Sequence, residues 1–149
     1  MDNVSSAQAR LYEELRELRR RGWADPQDRL HQYELLLDVA RLGGRGSTDK
    51  ERVKNVLEQA IERMGSVYGP ALRTLFGLTE ASYGLKATAR HKLAHDVFRK
   101  AERALAIPHA GHKPIAFENF RTHKQEEMLK DLANQLLRIA RRSDATRRA

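Results

Sequence analysis

A chain of 149 residues, 40% hydrophobic and 32% charged, is the size of one ordinary domain or two very small ones. It has no cysteine, which excludes disulfides, thiolate nucleophiles and Cys-ligated zinc, and no run of about 18 apolar residues, which excludes a helical membrane span. The net charge of +8 sits in one half: residues 1–80 carry 13 basic and 13 acidic side chains, residues 81–149 carry 15 and 7. A one-sided excess of this kind favours a polyanionic partner.

Met1 to Ser6 has neither a basic nor an apolar leader region, so the reading expects a cytoplasmic protein. Leu11, Leu15 and Leu18 then form the stripe of a first helix, about Ser6–Arg21, which Gly22 stops. Asp25-Pro26 restarts a helix that is expected to run to about Leu42, with Leu30, Tyr33, Leu37 and Ala40 inward and Gly43-Gly44 at its end. Thr48 and Glu51 have the spacing of a capping box. The helix behind it carries Val53, Val56, Leu57, Ala60, Ile61 and Met64 on one face. Gly69-Pro70 reads as the start of a short helix that Gly77 ends.

Thr88 opens a long helix to about Leu105, followed by a loop from Ile107 to Pro114, a short helix Ile115–His123 and a last helix Lys124–Arg142. Ser143–Ala149 reads as a frayed basic tail. No segment alternates as a strand does. The expected fold is therefore all-α, a bundle of about six or seven helices with a helix-turn-helix-like C-terminal part. The charge step and the glycines at 77 and 84 suggest a neutral scaffold at 1–78, a basic subdomain at 79–142 and the tail at 143–149. One continuous core fits the same pattern.

In the helix-turn-helix outline, Ile115–His123 would be the reading helix. Phe117 and Phe120 would anchor it, leaving Asn119, Arg121 and Lys124 free for base edges. Lys86, Arg90, Lys92, Arg99, Lys113 and Lys124 have the charge that phosphates require. The loop before the reading helix is longer than the usual 3–4-residue turn.

His91 and His95, four apart on one helix, with His109 and His112 in the next loop, have spacing that zinc would accept. The run His91-Lys92-Leu93-Ala94-His95 nevertheless lacks the glutamate of a zinc hydrolase. Gly43-Gly44-Arg45-Gly46 is not followed by the Lys-Ser/Thr of a phosphate loop. Glu13-Glu14, Glu58/Glu62 and Glu126/Glu127 read as helix-face charges. No catalytic residue, enzyme activity or cofactor is expected. Trp23, Tyr33, Tyr68 and Tyr83, outside the clean stripes, and the row Leu35-Leu36-Leu37 suggest a face for a protein partner or a homodimer.

Three stretches also carry a resemblance: Leu75-Phe76-Gly77-Leu78, the basic helix from Lys86, and Glu118 through Glu126 with Leu129 and Leu132-Ala133. Together, over about residues 53–140, they resemble a poorly characterised helical module of actinobacterial proteins, whose C-terminal part is similar to the DNA-reading helices of sigma-type regulators. The chain departs from that pattern in its 107–114 loop and in having Asn119 where Thr or Ser is usual. The resemblance implies a regulatory or adaptor role without an active site. Two expectations follow. One is a nucleic-acid-binding, DNA-directed regulator; the alternative is a protein-interaction adaptor of a regulatory or defence pathway, without nucleic-acid contact.

Overall fold

A computed structural model describes residues 3–24, 27–105 and 115–148. The fold is all-α. Helix α1 (Asn3–Arg21) leads through a 3₁₀ turn (Gln27–Gln32) to α2 (Glu34–Gly43), α3 (Asp49–Glu62), α4 (Gly65–Leu75) and α5 (Ala87–Leu105). A three-residue α6 (Phe117–Asn119) passes through a π-turn (Phe120–Lys124) into α7 (Gln125–Arg148). Among the described residues there is no strand, and no helix is long and apolar enough to cross a membrane.

Several boundaries differ from the sequence reading, each for a local reason. The expected second helix is split at Tyr33 into the 3₁₀ turn and α2. Tyr33 gives α2 no side-chain cap. A carboxylate from another helix does so instead: Glu14 of α1 accepts the backbone N–H groups of Leu35 (3.0 Å) and Leu36 (2.8 Å). Glu14, expected to be a surface charge, is thus a tertiary N-cap. Burial raises its pKa, and these two hydrogen bonds work against that rise.

At α3 the Thr48 hydroxyl accepts the Glu51 N–H at 3.1 Å as expected, whereas the Glu51 carboxylate reaches one residue further, to Ser47 N–H at 2.9 Å. Helix α4 starts at Gly65 rather than at Gly69-Pro70, so Pro70 lies inside it and offers no N–H to the Ser66 carbonyl. At the C-terminus, α7 continues to Arg148 through the expected tail.

Helix α7 packs against α1, α2 and α3, while α5 lies on α4 and meets the π-turn. One apolar cluster joins both halves of the chain: Leu11, Leu15 and Leu36 pack with Val56, Leu57, Phe76, Phe98, Phe120, Leu129 and Leu136. The core therefore runs across the 78/79 boundary expected between the two subdomains. Leu36 and Leu37 are buried and Leu35 packs partly against the same cluster, so central burial accounts for the leucine row. Trp23 and Tyr33 are buried, which removes two of the four aromatics from any surface patch, and Tyr68 is half-buried and stacks on Phe98 (6.0 Å between centroids). Tyr83, 59% exposed, remains.

Candidate nucleic-acid interface

The basic C-terminal half does not present its cations uniformly, and Arg90 shows this most clearly. Expected on a phosphate, it is only 2% exposed. Its Nε donates to Leu75 O at the end of α4 (2.9 Å) and its Nη1 to Leu85 O (2.5 Å). Its Nη2 donates to Arg19 O and, at 3.1 Å, to Arg20 O in the last turn of α1. Two helix C-termini, each bearing unpaired carbonyls and the negative end of a dipole, converge on one guanidinium.

Both of those helices end in left-handed glycines. Gly22 (φ +82°) donates to Leu18 O at 2.7 Å. Gly77 (φ +76°) sits in a Schellman turn whose Leu78 N–H reaches Arg73 O at 2.9 Å. The Trp23 N–H donates to Phe76 O at 2.7 Å and joins the two ends directly. A Cβ on Gly22 would lie 2.6 Å from Arg90 Nη1. Arg90 is thus withdrawn from the candidate interface: it holds α1, α4 and the start of α5 together and has no reach to a phosphate.

The next residue on α5 is also turned inward. His91 Nδ1 lies 2.7 Å from Gln125 Nε2, and Arg19 Nη1 donates to Gln125 Oε1 at 2.9 Å. The arginine fixes the amide orientation, so Gln125 donates and His91 Nδ1 accepts. An accepting Nδ1 requires a neutral ring. Burial, with Arg19, Arg90 and Arg121 nearby, lowers the His91 pKa to about 4. The π-turn makes this contact: the Gln125 N–H bonds Phe120 O, five residues back, so Phe120 and Gln125 are both fully buried before the α-helical repeat resumes at Met128 and Leu129.

His95 Nε2 lies 2.8 Å from Ile115 O, and its ring packs 5.4 Å from Phe117 and 5.3 Å from Phe120. The two weak metal candidates are therefore engaged with protein groups, and the described residues contain no group of three His, Asp or Glu that would hold a metal ion. His109, His112 and the candidate Lys113 lie outside the described residues.

The expected reading helix is not a separate element. Phe117 to Arg148 is one helical run without a turn at His123-Lys124, so the outline of helix, loop, short helix and second helix is replaced by α5 and a single long helix. Asn119 is exposed near the start of that run. Arg121 is exposed but paired with Glu118 at 2.5 Å, as the i,i+3 spacing allows. Lys124 is partly buried, 3.3 Å from Glu127 and 3.4 Å from the Tyr68 hydroxyl. The structure thus places Asn119, Arg121 and Lys124 on one short stretch, with both cations beside a glutamate.

Charge without an acidic partner does occur on the outward face of α5. At 100° per residue, Lys92, Arg99, Lys100 and Arg103 fall on one side of the helix, opposite Arg90, Ala94 and Phe98. Lys92, Lys100 and Arg103 are exposed and Arg99 is partly so. None of the four forms an ion pair with the described carboxylates, and the Arg99 Nε has no hydrogen-bond partner. Lys86, also exposed, precedes the helix, and exposed Asp96 subtracts one charge from the row. The span from Lys86 to Arg103 is about 25 Å at 1.5 Å per residue. Lys86 and Lys92 were legible as phosphate candidates, as was Arg99. Lys100 and Arg103 were missed, although their spacing from Lys92 on a helix already predicted was the available signal.

Comparison with known protein families, with curated proteins and with solved structures finds no match.

Proposed function

We propose that this protein binds nucleic acid through the outward face of α5, with Lys86, Lys92, Arg99, Lys100 and Arg103 on backbone phosphates. The observation that carries the reading is the row of cations along one helix face with no carboxylate paired to it. By contrast, Arg16, Arg20, Arg21, Arg41, Arg52, Arg121 and Lys124 each have an acidic partner, whereas exposed Lys130, Arg138, Arg141 and Arg142 of α7 form no ion pair with the described carboxylates either. Phosphate contact requires positive charge and reach, and releasing condensed counterions supplies the affinity. Asn119 and Arg121 become peripheral, because Glu118 and Glu127 repel a phosphate chain from that stretch. The role is regulatory binding, with no chemical step and no cofactor.

The test is fluorescence anisotropy of a labelled oligonucleotide at several salt concentrations, with wild type and a Lys92→Gln/Arg99→Gln/Lys100→Gln/Arg103→Gln variant. Glutamine keeps the helix propensity. Expected is a linear loss of log affinity with log salt in wild type, with a slope shallower by about 0.7 for each phosphate contact removed from a single strand. Absence of binding by wild type at low salt would overturn the reading and favour the adaptor.

A further inference from the structure

We infer that the nucleic acid recognised by the α5 face is single-stranded, or has an unpaired end, and that Tyr83 supplies the platform on which one base stacks; this rests on the reading proposed above. Tyr83 and Leu85 are the two large hydrophobic side chains left exposed among the described residues, at 59% and 37%. Both lie within four residues of the start of α5, beside Lys86, at one end of the cationic row. An exposed aromatic ring near one end of a phosphate-binding row is the arrangement that unpaired bases use. Every base has a π-face, whereas a duplex hides its bases in the stack.

The turn that carries Tyr83 is ordered by its own hydrogen bonds. Ser82 is fully buried and its hydroxyl lies 2.5 Å from that of Thr79. Ser82 N–H donates to Thr79 Oγ1 at 3.1 Å, Tyr83 N–H to Thr79 O at 2.9 Å and Leu85 N–H to Ser82 O at 3.1 Å. The Leu85 carbonyl is held in turn by Arg90 at 2.5 Å. Gly84 (φ +79°) makes the reversal, with open space where a Cβ would sit. An exposed ring on a fixed backbone loses little conformational freedom when a base stacks on it. The same ring on a mobile loop would carry no such meaning. The charge beside it selects a polyanion over a neutral apolar partner.

The experiment compares a labelled oligothymidylate of about 15 nucleotides with a duplex of the same length, at one salt concentration and across a salt series, using wild type, Tyr83→Ala and Tyr83→Phe. Expected are tighter binding of the single strand and a loss of about 5- to 160-fold for Tyr83→Ala on that strand. The salt slope and the thermal midpoint should not change, and Tyr83→Phe should bind as wild type does. If wild type binds both probes with a steep salt slope and Tyr83→Ala matches it, the phosphate row stands and the stacking inference falls. Preference for the duplex would also overturn the inference. If neither probe binds at low salt, the underlying reading fails as well. A change of sedimentation in Tyr83→Ala, without any loss of oligonucleotide affinity, would assign the ring to a protein contact and contradict the proposal.

Discussion

The inner and outer faces of α5 carry the same residue types to opposite ends. On the inner face, Arg90 gives donors to carbonyls of three segments and His91 and His95 each hold one partner, so all three side chains are engaged by the fold. On the outer face, Lys92, Arg99, Lys100 and Arg103 have no carboxylate within ion-pair distance among the described residues. Arg90 and Lys92 are two positions apart, which on a helix means a turn of about 200°. The difference shows that net charge by itself does not measure availability: of two neighbouring cations, one is held by the fold and the other is exposed.

This contrast breaks first at Arg90. Arg90→Met leaves carbonyls of α1 and α4 buried without a donor, and an expected loss of about 3 kcal/mol or more appears in urea denaturation. Arg90→Lys recovers only part of it, because an ammonium on a flexible stem cannot reproduce the planar fork. Near-native stability in Arg90→Met would remove the keystone role.

The second test is pH. His91 binds fewer protons in the folded than in the unfolded chain between its folded value of about 4 and the ordinary 6.5, so stability is fully present above about pH 6.5 and falls as pH drops through that window. The contribution is about 2 kcal/mol, allowing for partial exposure of the ring. His91→Gln should flatten the thermal midpoint between pH 7 and pH 4.5. The Glu17 carboxylate, held down to about 2 by hydrogen bonds from Arg20 and Arg21, titrates mostly below that window. A His91→Gln profile parallel to wild type would assign the pH dependence to other groups.

Glu14→Ala comes next. It uncaps α2 from a distance and should cost about 1–2 kcal/mol by denaturant midpoint, with Glu14→Gln milder because an amide oxygen still accepts. The smallest stability effect belongs to the outer face. The four-glutamine variant of α5 should stay within about 0.5 kcal/mol of wild type while it loses oligonucleotide binding. A large destabilisation there would erase the distinction between the two faces.

The helices were legible where their cause is local. The stripe Leu11, Leu15, Leu18, the face Val53 to Ile61 and the Thr48 cap all follow from spacings under about eight residues. What escaped has its cause far along the chain. Arg90 is fixed by carbonyls 70 and 71 residues away, and Glu14 caps N–H groups 21 and 22 residues away. The π-turn at Phe120–Lys124 follows from the demand that both Phe120 and Gln125 face inward, the latter to meet Arg19 and His91. No propensity in Phe-Arg-Thr-His-Lys announces it. The same turn keeps the expected reading helix continuous with α7, so the part of the candidate site that leaned on a helix-turn-helix outline moved to α5.

The most direct test of this account is a residue-resolved one: backbone amide chemical shifts of the labelled protein during titration with the oligothymidylate. The largest changes should run along Tyr83, Lys86, Ala89, Lys92, Asp96, Arg99, Lys100 and Arg103, with Ala94 and Phe98 nearly still. Changes concentrated at Asn119, Arg121 and Lys124 while the outer face of α5 stays silent would contradict it.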